Sequence, residues 1–104
     1  MTDMLPLAIV RYFAARTPEE VADSLAGDAV VTDERQTRTG RAEILEWREE
    51  VAQVRYRQDI LSASGAGDSY TVTCRLTGDF PGSPVELNNR FHLAGGRIAR
   101  LEIS

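Results

Sequence analysis

Two hydrophobic periods divide the chain. In the first half apolar residues recur every three or four positions; from Val54 onward they recur every second one. Leu5, Ile9, Tyr12, Phe13 and Arg16 follow helical spacing, with Pro6 tolerable in a first turn. Thr17-Pro18-Glu19-Glu20 starts a second helix, with Thr at the N-cap, Pro at the first helical position and Glu three residues after the cap. This helix buries Val21 and Leu25 and is expected to stop at Gly27. Residues 28–33 read as a short strand and Thr37-Arg38-Thr39 as a second one. Gly40 precedes a third helix with Ile44, Trp47 and Val51 on one face and Glu43, Glu46 and Glu50 on the other.

The alternating half then gives four long strands. Val54, Tyr56, Gln58 and Ile60 point one way, against Arg55, Arg57, Asp59 and Leu61. A turn at residues 65–68 leads to Tyr70, Val72, Cys74 and Leu76, alternating with Thr71, Thr73, Arg75 and Thr77. After a loop over residues 78–84, Val85, Leu87, Asn89, Phe91 and Leu93 alternate with Glu86, Asn88, Arg90 and His92. Gly95-Gly96 makes a tight turn into a final strand over residues 97–103. The expected fold is α+β: a cone-shaped single domain, three N-terminal helices packed on a curved antiparallel sheet of four long strands plus short strands.

Composition narrows the function classes. At 104 residues the chain is expected to form one domain, residues 1–104. Sixteen acidic residues face twelve basic ones, all Arg, for a net charge of −4. An acidic chain without a basic run is a poor partner for a phosphate backbone, so no nucleic acid is expected. Cys74 is the single cysteine, which excludes an intrachain disulfide and a cysteine metal cluster. With His92 the single histidine, a zinc site would need carboxylates for most of its ligands, and no metal or cofactor is expected. The first ten residues lack a positive n-region and carry Asp3 and Pro6, unlike a signal peptide. No apolar run approaches the ~20 residues of a membrane span. A cytoplasmic location is expected.

The element order, with two short strands between the second and third helices, resembles the nuclear transport factor 2-like superfamily. The segments that carry the resemblance are Asp28-Ala29-Val30-Val31-Thr32-Asp33, Thr39-Gly40-Arg41-Ala42-Glu43-Ile44-Leu45-Glu46-Trp47, and Arg90-Phe91-His92-Leu93 with Gly95-Gly96-Arg97-Ile98. They are nearest to the SnoaL-like and ketosteroid-isomerase-like branches. The resemblance implies a curved sheet wrapping the helices around a conical pocket. This superfold hosts isomerases, dehydratases, cyclases, epoxide hydrolases and non-catalytic modules, so it implies no single activity. Ending at Ser104, directly after the last strand, the chain reads as a minimal version of the cone.

Compared with the isomerases, Arg11-Tyr12-Phe13-Ala14-Ala15 resembles the segment whose phenol serves an oxyanion hole, which implies that role for Tyr12. Asp33 falls where the isomerases carry their proton-shuttling carboxylate. Their second oxyanion donor, a protonated Asp, corresponds to Asn89 by the Phe91 and Leu93 pattern, or to Asn88 by the glycine turn. Asn89 is preferred because it shares the apolar face with Leu87 and Phe91. Asp33 as base with Tyr12 and Asn89 as donors would suit proton transfer next to a carbonyl. Trp47, Tyr56, Gln58 and Phe91 would line a site for a hydrophobic cyclic ligand.

Each residue also has a structural reading. Tyr12 and Trp47 fit a plain core, Asp33 a turn bonding its own backbone, and Asn89 a partner for buried Gln58. Arg38 either reaches the pocket mouth or flanks a solvated turn, His92 lies on the polar face, and Cys74 is an inert buried thiol. The functional expectation is a small-molecule pocket protein, a cofactor-independent isomerase or cyclase, with a non-catalytic ligand-binding or dimerisation module as the alternative. Relatives commonly pair through the outer sheet face, which implies a homodimer. No membrane partner is expected.

Overall fold

The computed structural model describes residues 5–104. Residues 1–4, including the Asp3 used in reading the N-terminus, lie outside the described residues. Helix α1 (Leu7–Ala14) follows Pro6, and α2 (Pro18–Ser24) starts at the expected cap, where Thr17 Oγ1 accepts from the Glu20 N–H at 3.1 Å. Helix α2 ends at Ser24, three residues before Gly27. Leu25 is already extended and opens strand β1 (Leu25–Asp33). Its backbone partner is Ile98 across the sheet, a non-local pairing that outcompetes another half-turn of helix.

Strand β2 (Gln36–Thr39) folds back on β1, and α3 (Gly40–Val51) follows with Ile44 and Trp47 buried. The long strands are β3 (Tyr56–Ala66), β4 (Ser69–Gly78), β5 (Val85–Ala94) and β6 (Arg97–Ile103). One six-stranded sheet runs β2-β1-β6-β5-β4-β3. The four long strands are antiparallel as expected, whereas β1 joins β6 in parallel, so the whole sheet is mixed. Period-two alternation marks which face a side chain takes but not the direction of its neighbour.

The helices lie over the concave face. Val72, Leu101 and Val31 come up from the sheet to meet Ile9 of α1, Val21 of α2 and Ile44 of α3 in one buried cluster. Strand β3 departs from simple alternation. Ile60 pairs with Cys74 but Ser62 pairs with Thr73, leaving Leu61 as an extra residue. This bulge bends the strand and shifts its inward set, so Tyr56 and Gln58 face inward before it and Ala63 after it. Val54 lies before the strand and is exposed. Gly78 stands opposite Tyr56; a Cβ there would come within 2.1 Å of the Arg55 carbonyl oxygen.

Candidate functional site

The concave face is not filled to its end. Between α1, α3, the late ends of β1 and β6 and the early part of β5 lies a cavity of about 620 Å³ that reaches solvent past Glu34, Glu50 and Val54. Strand β1 delivers Asp33 to its wall. The next two residues, Glu34 and Arg35, form the β1–β2 turn with φ of +53° and +67°. Both dihedrals are left-handed, the pattern of a two-residue hairpin turn that glycine or asparagine usually supplies. Asp33 is therefore the last strand residue, and its carboxylate is held from across the cavity. Trp47 Nε1 on α3 donates to Asp33 Oδ2 at 3.0 Å. The carboxylate bonds to an indole rather than to its own turn, and Trp47, though 2% exposed, also lines the cavity.

Tyr12 reaches the same space from α1. Burial pushes its phenol up to about 12, the nearby Arg48 guanidinium opposing the shift, so it stays protonated as a donor at ordinary pH. Arg48 lies over the Trp47 ring with its guanidinium carbon 4.9 Å from the ring centroid, and Nη2 donates to Tyr56 Oη at 3.4 Å. At the rim Arg38 pairs with Glu50 at 3.6 Å. Arg38 thus reaches the mouth, its side chain 17% exposed, rather than flanking a solvated turn.

The choice between the two asparagines is decided by register. Asn89 is buried and lines the cavity, whereas Asn88 lies outside and accepts from Thr73 Oγ1 at 2.8 Å. The Asn89 amide points away from the role expected of it. Its Nδ2 donates to the Val72 carbonyl at 3.1 Å and approaches Cys74 Sγ at 3.5 Å, so both N–H bonds are directed into the sheet. What Asn89 offers the cavity is an acceptor oxygen. Gln58 is not its partner: it lines the cavity separately, near the Cys74 thiol, which burial pushes up.

Tyr56, Gln58, Trp47, Tyr12, Asp33 and Asn89 are thus brought to one cavity. Phe91 is not. It is buried beneath, edge-on to Tyr12 at 5.4 Å and to Phe13 at 5.7 Å, because the helix-borne rings occupy the layer above it. Sequence reasoning passed over Arg48 and the loop residues Phe80 and Pro81, which also line the site. For Arg48 a signal existed: it is the one cation between Arg41 and Arg55, set beside the apolar face of its helix. Among the described residues no three His, Cys, Asp or Glu side chains group as metal ligands. No helix among them is long and apolar enough to cross a membrane.

A family model for the SnoaL-like domain matches residues 7–101. Among solved structures, a proposed polyketide cyclase from Sinorhizobium meliloti is 36% identical, with a TM-score of 0.88 over 96% of this chain and 95% of that one. A protein of ketosteroid isomerase-like fold from Catenulispora acidiphila DSM 44928, in complex with trimethylamine, is 20% identical with a TM-score of 0.82, covering 97% and 86% of the two chains. TerC, co-crystallised with polyporic acid, is 20% identical with a TM-score of 0.77, covering 93% and 87%. No curated protein matches the sequence.

Proposed function

The chain belongs to the SnoaL-like domain family of nuclear transport factor 2-like folds, and on that premise we propose that it is a small-molecule pocket protein that moves a proton next to a carbonyl of a cyclic, largely apolar ligand. The observation that carries this reading is the Asp33 carboxylate held by Trp47 Nε1 at 3.0 Å on the wall of the cavity. The indole fixes one carboxylate oxygen and leaves the other to accept a proton from a C–H. The protonated phenol of Tyr12 supplies a donor for the oxygen that becomes anionic. Flat walls from Tyr56 and Trp47 suit a ring. The likeness to a proposed polyketide cyclase is in keeping with a cavity that takes a small molecule.

Deuterium exchange at the α-carbon of 2-tetralone, a bicyclic enolisable ketone, tests the proposal. The wild type is expected to accelerate exchange, and Asp33→Asn to slow it by on the order of 10²–10⁴-fold with the circular dichroism spectrum retained. Exchange at the wild-type rate in that variant would remove Asp33 as the base.

One observation favours the non-catalytic alternative. With the Asn89 amide turned into the sheet, the Asn89 position supplies no second donor beside Tyr12. Binding of 2-tetralone without any exchange is the result this reading expects. We also propose that two copies pair through the outer sheet face, where Ser69, Arg90, His92 and Arg100 border a shallow groove. Light scattering on the eluting protein is expected to give twice the chain mass, and a monomer at high concentration rules the pairing out.

A further inference from the structure

Within the cavity the charges are not evenly matched. Of the two guanidinium groups that line it, Arg38 is paired with Glu50. Arg48 has no carboxylate within 4.0 Å among the described residues. Its neighbours are the Trp47 ring beneath and the Tyr56 hydroxyl at 3.4 Å, a long contact that takes up one N–H. A guanidinium carries five N–H donors in one plane. With its charge over the indole and one N–H on Tyr56, Arg48 keeps further donors for a ligand, and a planar fork of that kind matches the two oxygens of a carboxylate.

Placement strengthens the case. Arg48 lies over the face of the same indole whose N–H edge holds Asp33. An anion at Arg48 and the base at Asp33 would therefore be kept on different sides of one ring system. Tyr12 and Arg48 both line the cavity, and the phenol feels the Arg48 charge. A half-buried guanidinium on an aromatic-walled cavity, with no carboxylate paired to it, gains most from a ligand of opposite charge.

We propose that Arg48 is a specificity residue and that the ligand of this cavity is a ring compound bearing a carboxylate, which Arg48 grips while the apolar body lies against Trp47 and Tyr56. This rests on the cavity being the ligand site, and adds which class of ligand it selects. A neutral ring of the same shape would leave the guanidinium unanswered and bind more weakly.

Calorimetric titration of 2-naphthoate and 2-naphthamide, which differ in charge but little in shape, separates these cases. The wild type is expected to bind the naphthoate at least tenfold more tightly. Arg48→Gln is expected to remove that preference, weakening naphthoate by tenfold or more and leaving naphthamide within twofold. Arg48→Lys keeps the charge without the fork and is expected to recover only part of the preference. Equal affinities in the wild type, or a preference that survives Arg48→Gln, overturn the proposal. So does binding of neither compound; exchange of neutral 2-tetralone then tells whether the cavity reading stands without it. If Arg48→Gln does not fold, the ratio of the two affinities in the wild type still decides.

Discussion

Two hairpins turn on the same left-handed backbone at opposite ends of the sheet. At the closed end, β5 passes to β6 through Gly95 and Gly96, with φ of +59° and +78°. At the cavity end, β1 passes to β2 through Glu34 and Arg35, with φ of +53° and +67°. Glycine takes these angles without steric cost; two side chains with Cβ atoms do not. Stability is thus optimised where the cone is sealed and conceded where it opens. The concession lies beside Asp33, in a turn whose Glu34 lines the cavity. Strain of this kind gathers at functional sites, and here it adds charge to the mouth and stops β1 with Asp33 at the wall.

The sharpest way to break this contrast is in the packed layer beneath the cavity. Phe91→Ala removes the ring that meets both Tyr12 and Phe13, and is expected to cost about 3–5 kcal/mol in denaturant unfolding. Phe80→Ala at the mouth, where the ring is half-buried, is expected to cost about 1 kcal/mol. Equal losses would mean the two ends are packed alike.

Alkali probes the boundary between them. Tyr12 keeps its proton until about pH 12 in the folded chain but loses it near 10 when unfolded. Between those values the folded state holds the extra proton, so stability falls as pH rises from 10 towards 12. The full loss is about 2–3 kcal/mol. Unfolding midpoints measured at both pH values should show this loss in the wild type and not in Tyr12→Phe.

Exchanging the two turn sequences tests the contrast directly. Glu-Arg in place of Gly95-Gly96 is expected to destabilise by about 1–2 kcal/mol, and Asn-Gly in place of Glu34-Arg35 to stabilise by about 1 kcal/mol. If the second exchange gives no gain in unfolding midpoint, the mouth turn is not strained. The smallest effect is expected from Arg38→Gln, which removes the rim pair with Glu50. That carboxylate is 66% exposed, so water screens the interaction and the cost is about 0.5 kcal/mol or less.

The sealed end was the more legible of the two. Gly95-Gly96 between alternating strands announces its turn, much as Thr17-Pro18 with Glu20 announces the start of α2 among the helices. Glu34-Arg35 carries no such mark, because the pairing of β1 with β2 rather than the preference of these two residues imposes its backbone. The bulge at Leu61 was hidden because an alternation continues on paper through a residue the ladder omits. Asp33, Tyr12 and Asn89 were found as positions. Their partners were not, since the Trp47 bond to Asp33 spans fourteen residues and the Asn89 amide could have turned either way.

Trp47 is the single tryptophan of the chain, and it holds Asp33 at its N–H edge with Arg48 over its face. Its emission therefore comes from one known place, between the two charges on which the proposed chemistry depends. A proton arriving at Asp33 or an anion displacing solvent around Arg48 alters the field across that indole. The protein carries its own optical gauge of the cavity, and no label has to be added to read it.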